Sequence, residues 1–316
     1  MIIQFSHNGK EFNLSKRSSK NGVDYRFNSK NPDSGYRYWN NLDCHFRKFI
    51  KQSGWYLQKS GINKFIPDPK HGDLYFWGEW EPQSEFELTG NTYSKASSLP
   101  HAVHFPIFST RGIGSRNTDP FVFGNNFYYT NCKQGRNKAI MLSLSSNSII
   151  LFGSIMNGDF VLDTVFVVDI DETVRDYKTH PQNYPDILKD TTINLGKGLA
   201  DWHKLYKGKM YNCSPNEQKE QPETFCFVPC WTDYCNQGFA RPVIDMKRFQ
   251  LQSPIPVFNS ILYQIKNYNE TDFWNDLVKE LITQGFSLGI KLEMPSNNDI
   301  EQFPEFEDKT PKCGGC

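Results

Sequence analysis

One eleven-residue run constrains this chain more than any other part of it. Residues 72–82 read Gly-Asp-Leu-Tyr-Phe-Trp-Gly-Glu-Trp-Glu-Pro, an alternating pattern that is rich in aromatic rings and contains two glutamates. Successive side chains of a β-strand point to opposite faces of its sheet. The run therefore predicts a strand with two unlike faces. One face carries Tyr75, Trp77, Glu79 and Glu81, and the other carries Phe76 and Trp80.

The first of these faces is a candidate site for a flat, polar ligand such as a nucleobase or a sugar. Tyr75 and Trp77 would form a stacking platform worth roughly 1–3 kcal/mol per base. Glu79 or Glu81 would accept hydrogen bonds from an exocyclic amine. The alternative is an edge strand whose rings pack together and whose glutamates face solvent.

Positive charge is concentrated at the start of the chain. The whole sequence is neutral, but residues 1–70 hold thirteen basic and five acidic side chains. Such a basic region suits a polyanion, and an ordinary solvated surface is the alternative. A glycine-rich basic loop at residues 111–120 is a candidate phosphate nest, although its spacing fits neither the P-loop nor the dinucleotide fingerprint. The candidate phosphate-binding residues are Lys16, Arg17, Arg26, Arg111 and Arg116.

Carboxylates near the predicted sheet support a second, catalytic interpretation. Hydrolysis of an N- or O-glycosidic bond needs a carboxylate that activates water or stabilises an oxocarbenium ion. Glu79, Glu81 and Asp119 are the candidate catalytic residues, and Asp163 is a further carboxylate expected near the sheet. Asn131 follows an aromatic strand and is a candidate for reading a base edge.

Four cysteines in the second half of the chain form a candidate zinc site. They follow the pattern Cys-x12-Cys-x3-Cys-x4-Cys, and four thiolates can hold a tetrahedral zinc ion. The pattern lacks the paired Cys-x2-Cys knuckles of a strong zinc signature, so isolated buried thiols are the favoured interpretation and no cofactor is expected. The residues concerned are Cys213, Cys226, Cys230 and Cys235.

The hydropathy of the chain predicts a cytoplasmic protein without membrane association. No apolar run approaches the roughly 20 residues needed to span a bilayer. The first residues also lack the basic and then apolar layout of a signal peptide. The eight cysteines are therefore expected to be reduced.

Short β-branched and aromatic runs dominate the middle of the chain. Strands are predicted at residues 84–88, 101–108, 121–129, 139–144, 149–154 and 160–168, and a hairpin joins residues 2–5 to residues 11–14. Apolar residues at helical spacing predict helices at residues 43–50, 199–206 and 272–284. We therefore predict an α+β fold built on a curved or barrel-like, mostly antiparallel sheet with flanking helices.

Four successive parts are expected along the chain. They are a basic N-terminal extension packed on the core, a central β-barrel-like domain, a mixed α/β completion with a C-terminal helix, and a mobile acidic tail. Their residues are 1–70, 71–170, 171–294 and 295–316.

The order of features between residues 70 and 170 carries a resemblance. An aromatic strand opened by Gly72 and Asp73 is followed by a Phe/Tyr-rich strand with a polar turn, then by Ile-Leu-Phe-Gly-Ser at residues 150–154 and a long strand to Val168. This order resembles the PUA-like barrel superfamily, including its EVE and ASCH branches and the nucleotide-modification-associated domains. The resemblance implies a pocket that binds modified bases, with Trp77 and Trp80 as pocket aromatics and Asp73 at the strand opening. It leaves the blocks before and after this segment unexplained.

Three functions are therefore open from the sequence. The leading hypothesis is a protein that binds nucleic acid, DNA more than RNA, and recognises a modified base extruded into an aromatic pocket. The resemblance adds a role in defence against modified phage DNA, since some members of that superfamily occur in such systems. The alternatives are a glycosidase that cleaves a base–sugar or glycan bond, and a structural or interaction protein.

Overall fold

The structure of this protein is a computed structural model.

 The described residues are 1–7, 11, 47–58, 60, 67–80, 84–92, 97–108, 118–130, 138–173, 179–189, 204–213, 221–233, 239–252 and 261–297. Every structural statement below concerns these residues.

Fourteen strands and three helices lie within the described ranges. The strands are β1 (Ile2–His7), β2 (Arg47–Leu57), β3 (Lys70–Glu79), β4 (Ser84–Leu88), β5 (Ala102–Phe108), β6 (Tyr128–Tyr129), β7 (Ile149–Met156), β8 (Asp159–Thr173), β9 (Lys204–Gly208), β10 (Val228–Trp231), β11 (Val243–Ile244), β12 (Ile261–Ile265), β13 (Ser287–Leu292) and β14 (Ser296–Asn297). The helices are α1 (Lys138–Leu142), α2 (Asp186–Leu188) and α3 (Glu270–Thr283). None of the helices in these ranges is long and apolar enough to cross a membrane.

The first sheet has the strand order β12-β1-β7-β8-β9-β6, and β11 pairs with β8. Strand β1 lies between β12, which is antiparallel to it, and β7, which is parallel to it. Both edges of β1 are therefore occupied, and the predicted hairpin between residues 2–5 and 11–14 is wrong. Glu11 instead forms an isolated parallel bridge with Arg47.

The second sheet closes on itself as a four-stranded barrel. Strand β2 pairs with β3, β3 with β10, β10 with β13 and β13 with β2, all antiparallel. Phe49 and Ile50 of β2 also pair in parallel with β5, which in turn pairs with β4 and β14. The predicted α+β fold with a barrel-like, mostly antiparallel sheet is confirmed.

The barrel crosses the expected division of the chain. Strand β2 comes from the expected N-terminal extension, β3 from the expected central domain, and β10 and β13 from the expected completion. The boundaries placed at residues 70 and 170 therefore do not separate structural units, and residues 47–57 are part of the barrel rather than an extension packed on it.

Three predicted elements have a different type in the structure. Residues 47–50 begin strand β2 instead of ending a helix, residues 138–142 form helix α1 instead of a strand, and residues 204–206 lie in strand β9 instead of a helix. In β2 the side chains of residues 47–50 are all buried. Burial on both faces removes the alternation of polar and apolar residues by which a strand is recognised in sequence.

Helix α3 forms as the sequence predicts. The side chain of Asn269 caps it by accepting hydrogen bonds from the backbone N–H groups of Thr271 and Asp272, at 2.9 and 3.2 Å. The chain leaves the helix through Gly285, whose φ of +97° favours glycine. The apolar face of the helix is buried, and it consists of Phe273, Trp274, Leu277, Val278, Leu281 and Ile282.

Two apolar clusters lie on the two faces of β3. Phe76 and Trp80 belong to the main core, which contains residues from both sheets. Tyr75 and Trp77 belong to a smaller cluster with Phe49, Val103 and Phe239. The alternation predicted for residues 75–80 is thus present, and it divides the strand between the two clusters.

Candidate functional site

Buried ionisable side chains gather where β1 and β8 of the first sheet meet β2 and β3 of the second. We call this group the polar centre, and each of its members is at most 8% exposed. Its members are His7, Glu11, Arg47, Glu79, Asp163 and Arg241. Charged groups are rarely buried unless they are paired, so this cluster is the strongest candidate for a functional site in the described part of the chain.

Arg47 of β2 forms one ion pair within its own sheet, with Glu79, and one with the other sheet, through Asp163. Its Nε donates to Asp163 Oδ2 and its Nη1 donates to Glu79 Oε2, both at 2.6 Å. Glu79 lies directly opposite Arg47 in the β2–β3 register, so the sheet itself positions this pair. Burial opposes the charge on Arg47, but the two carboxylates outweigh it and raise the pKa of the guanidinium. His7 Nδ1 lies 3.6 Å from Glu79 Oε2.

Arg241 is buried to the same degree and has none of these bonds. Its guanidinium carbon lies 3.9 Å from the centre of the Trp77 ring, a cation–π contact. None of its three guanidinium nitrogens has a hydrogen-bond partner among the described residues. Burial, with a further contribution from Arg47, lowers the pKa of Arg241 to about 10, against the opposing effect of Asp163 and Glu11. The group therefore remains charged at neutral pH, with its donors unused.

The backbone around Arg241 is fixed by three hydrogen bonds. Two indole N–H groups and one backbone N–H donate to its neighbouring carbonyls: Trp77 to Phe239 at 3.3 Å, Trp231 to Ala240 at 3.3 Å and Leu162 to Pro242 at 2.9 Å. Trp77 thus contacts both the backbone before Arg241 and its side chain. The arginine is held in place without any bond to its own donors.

The carboxylates of the polar centre differ in how many hydrogen bonds they accept. Glu11 accepts hydrogen bonds from the backbone N–H groups of His101 and Ala102, at 3.0 to 3.2 Å. Asp163 uses Oδ2 for Arg47, while its Oδ1 is buried and has no partner among the described residues. Asp163 Oδ1 is therefore an unused acceptor of the polar centre, as the guanidinium nitrogens of Arg241 are unused donors.

The predicted ligand-binding residues of strand β3 are spread over different surroundings. Tyr75 and Trp77 are buried in the smaller cluster, and one face of Trp77 is covered by Arg241. Trp80 lies in the main core, where its ring meets that of Phe123 at 5.1 Å. Asp73 is half exposed and pairs with Lys51 at 2.7 Å, a hydrogen bond that lowers its pKa. Trp77 contacts the polar centre directly, through Arg241.

The predicted catalytic residues are separated as well. Glu79 belongs to the polar centre, whereas Asp119 accepts hydrogen bonds from the backbone N–H and the hydroxyl of Thr130, both at 3.1 Å. Asp119 thus joins the two ends of residues 119–130, the segment that contains β6. The other predicted site residues lie outside the described residues: Glu81, Asn131, Lys16, Arg17, Arg26, Arg111, Arg116 and Cys235.

The three described cysteines of the candidate zinc site each bond to a different backbone carbonyl. Their Sγ atoms donate to Tyr211, Val167 and Ser287, at 3.7, 3.3 and 3.5 Å. Burial raises the pKa of Cys213, Cys226 and Cys230, which favours the neutral thiol over the thiolate that zinc requires. No group of three or more metal-ligating side chains occurs within the described ranges.

Sequence reasoning missed the two arginines of the polar centre. Arg47 was assigned to a helix, and its pairing with Glu79 depends on the β2–β3 register. Arg241 stands between Ala240 and Pro242 without a motif around it. The only local sign is a cation within a short apolar segment, which does not by itself indicate a site.

Comparison with known proteins leaves the geometry as the basis for assigning a function. The resemblance to the PUA-like superfamily stays a prediction. No protein-family model, curated protein or solved structure matches this chain.

Proposed function

We propose that this protein recognises a nucleobase, in a nucleotide or extruded from a DNA strand, at the stack formed by Trp77 and Arg241. The observation that carries the proposal is the buried Arg241 guanidinium, which has no hydrogen-bond partner among the described residues. A buried charge that keeps its donors unbonded is costly, and such groups in native proteins call for an explanation. A ligand that accepts hydrogen bonds from Arg241 would remove that cost.

The stacked arrangement suits a nucleobase in particular. A guanidinium whose plane contacts an indole keeps its N–H groups free at the edge, where planar acceptors bind in a bidentate manner. Extruded bases are commonly recognised by this combination of stacking and edge hydrogen bonds. The Arg241 guanidinium, held over the Trp77 ring, therefore supplies the donors for edge hydrogen bonds of this kind.

The same geometry favours recognition over glycoside hydrolysis. A glycosidase of the usual kind needs one carboxyl group that carries a proton as general acid beside a second, ionised one. Here Glu79 and Asp163 both accept hydrogen bonds from the single guanidinium of Arg47. Two carboxylates that share one cation are better suited to holding a structure or a ligand than to protonating a leaving group.

The proposal is tested by equilibrium binding of the four deoxynucleoside monophosphates and of a short single-stranded DNA, followed by calorimetry and by tryptophan fluorescence. We expect binding by the wild-type chain and at least a tenfold weaker affinity in Arg241→Met, because hydrogen bonds to a charged group are lost. Arg248→Met is the matched control, since Arg248 is exposed and bonds to Glu280. Absence of binding to every probe, or equal affinity of Arg241→Met and the wild type, would overturn the proposal.

A further inference from the structure

The unused hydrogen-bonding atoms of the polar centre define what a ligand must offer. Arg241 presents only donors, and Asp163 Oδ1 presents only an acceptor. Arg47 is already engaged with two carboxylates, and Glu11 with two backbone N–H groups. A complementary ligand therefore needs acceptors for Arg241 and a donor for Asp163.

Arg241 and Asp163 are neighbours through the pairing of β11 with β8. Strand β11 begins two residues after Arg241 and pairs with β8 through Val243 and Val161. The hydrogen bond from the Leu162 N–H to the Pro242 carbonyl links the residues adjacent to each of them. The carboxylate of Asp163 also acts electrostatically on the guanidinium of Arg241. Residues 241 and 163 therefore lie opposite each other in the continuation of this antiparallel register.

The charges of the polar centre argue against a strongly anionic ligand group. Two guanidinium groups, Arg47 and Arg241, are surrounded by three carboxylates, those of Glu11, Glu79 and Asp163. A phosphate placed against Arg241 would add negative charge near these three carboxylates. Like charges in a buried site repel strongly. A neutral ligand edge that both accepts and donates avoids this repulsion.

We infer that the site takes a base edge with two adjacent acceptors beside a donor, which is the edge shared by guanine and cytosine; the inference rests on the proposed function. Guanine offers N7 and O6 to an arginine and N1–H to a carboxylate. Cytosine offers O2 and N3 to the arginine and its 4-amino group to the carboxylate. Adenine places its amino group between N1 and N7, and thymine and uracil place N3–H between two carbonyls, so neither arrangement gives Arg241 an adjacent pair.

The test compares the affinities of dGMP, dCMP, dAMP and dTMP, which share one phosphate and one sugar. We expect dGMP or dCMP to bind at least tenfold more tightly than dAMP and dTMP. The 7-deaza analogue of dGMP, which lacks N7, and the 2-pyrimidinone analogue of dCMP, which lacks the 4-amino group, decide between the two bases. Loss of affinity for one analogue identifies the base that is read.

Asp163→Asn supplies the matched variant, because it replaces the free acceptor by an amide donor of the same shape. We expect this variant to lose the preference while keeping its fold, as judged by circular dichroism, whereas the exposed Asp186→Asn keeps the preference. Equal affinity for all four nucleotides, with binding still dependent on Arg241, would overturn the base-edge inference and leave the proposed function standing. Absence of all binding would overturn the proposed function itself.

Discussion

Arg47 and Arg241 illustrate, at the scale of single residues, two ways of burying a charge. Arg47 donates to two carboxylates, whereas Arg241 has only its contact with Trp77 and the more distant field of Asp163 and Glu11. Burial lowers the pKa of Arg241 from 12.5 to about 10. Since one pKa unit corresponds to about 1.4 kcal/mol, the charged group costs the folded state about 3 kcal/mol. Stability and binding are therefore expected to conflict at this residue.

The two arginines should respond in opposite ways to replacement by methionine. Arg47→Met leaves Glu79 and Asp163 buried without their cation, and we expect the free energy of unfolding to fall by about 3–5 kcal/mol. Arg241→Met removes a buried charge that has no hydrogen bonds, and we expect the free energy of unfolding to stay unchanged or to rise by up to about 3 kcal/mol. Urea unfolding followed by circular dichroism measures both. Equal destabilisation by the two substitutions would show that Arg241 is a structural ion-pair member like Arg47.

His104 gives the fold a dependence on pH. Burial, with Lys48 and His101, lowers the pKa of His104 well below 6.5, and its Nδ1 lies 2.9 Å from Ser84 Oγ. Below pH 6.5 the unfolded chain binds a proton at this residue and the folded chain does not. Stability therefore falls with decreasing pH by up to about 1.4 kcal/mol per pH unit from this group.

Urea unfolding between pH 7 and pH 5 should reveal the contribution of His104 as a difference in slope. We expect His104→Gln to lose stability less steeply than the wild type over this range, whatever its stability at pH 7. His71→Gln is the control for removing a histidine from an exposed position of the barrel. Identical slopes for the wild type and His104→Gln would show that His104 takes up its proton in the folded state.

At the scale of elements, the sequence predicted best where one face of an element is buried and the other is not. Helix α3 has a clear apolar stripe and a capping asparagine, and its position followed from them. Strand β2 has buried side chains on both faces at residues 47–50, so the spacing of Phe49 and Ile50 fitted a helix equally well. These residues form a strand because they pair with β3 and β5. Both partners are distant in sequence, so a local pattern carries no information about them.

Closure of the barrel depends on the close approach of β2 and β13 at Gly54. A Cβ added to Gly54 would lie 2.5 Å from the carbonyl oxygen of Lys291 and 3.1 Å from Leu292 Cα, so the backbone would have to shift. We expect Gly54→Ala to lower the free energy of unfolding by about 1–3 kcal/mol or more. Its cross-strand partner on β3 is Gly72, where a Cβ would meet only the Tyr56 ring at 3.7 Å, an ordinary contact.

Gly72→Ala is therefore the matched control for Gly54→Ala, and urea unfolding compares the two. We expect the free energy of unfolding of Gly72→Ala to stay within about 0.5 kcal/mol of the wild type, as for most substitutions outside a packed core. A loss of stability in Gly72→Ala as large as that in Gly54→Ala would mean that the β2–β13 contact does not limit the barrel.

At the scale of the whole molecule, both the barrel and the polar centre are assembled from distant parts of the chain. The members of the polar centre lie at residues 7, 11, 47, 79, 163 and 241, and the barrel strands lie between residues 47 and 292. Glu79 and Asp163 were recognised from sequence as carboxylates near the sheet, but their shared cation was not. Convergence of this kind is set by strand order and register, which local spacing does not determine.

A fragment of residues 71–170, the segment expected from sequence to be the barrel domain, should therefore not fold. It retains β3 but lacks β2, β10 and β13, three of the four strands that close the barrel, and it lacks β1, which lies between β7 and β12. The edges of β3 and β7 would be left unpaired and their apolar side chains exposed. We expect circular dichroism of the fragment to show no cooperative thermal transition under conditions in which residues 1–316 give one. A cooperative transition in the fragment would mean that the strands it keeps form a stable unit, and the barrel would then be an addition to that unit rather than its framework.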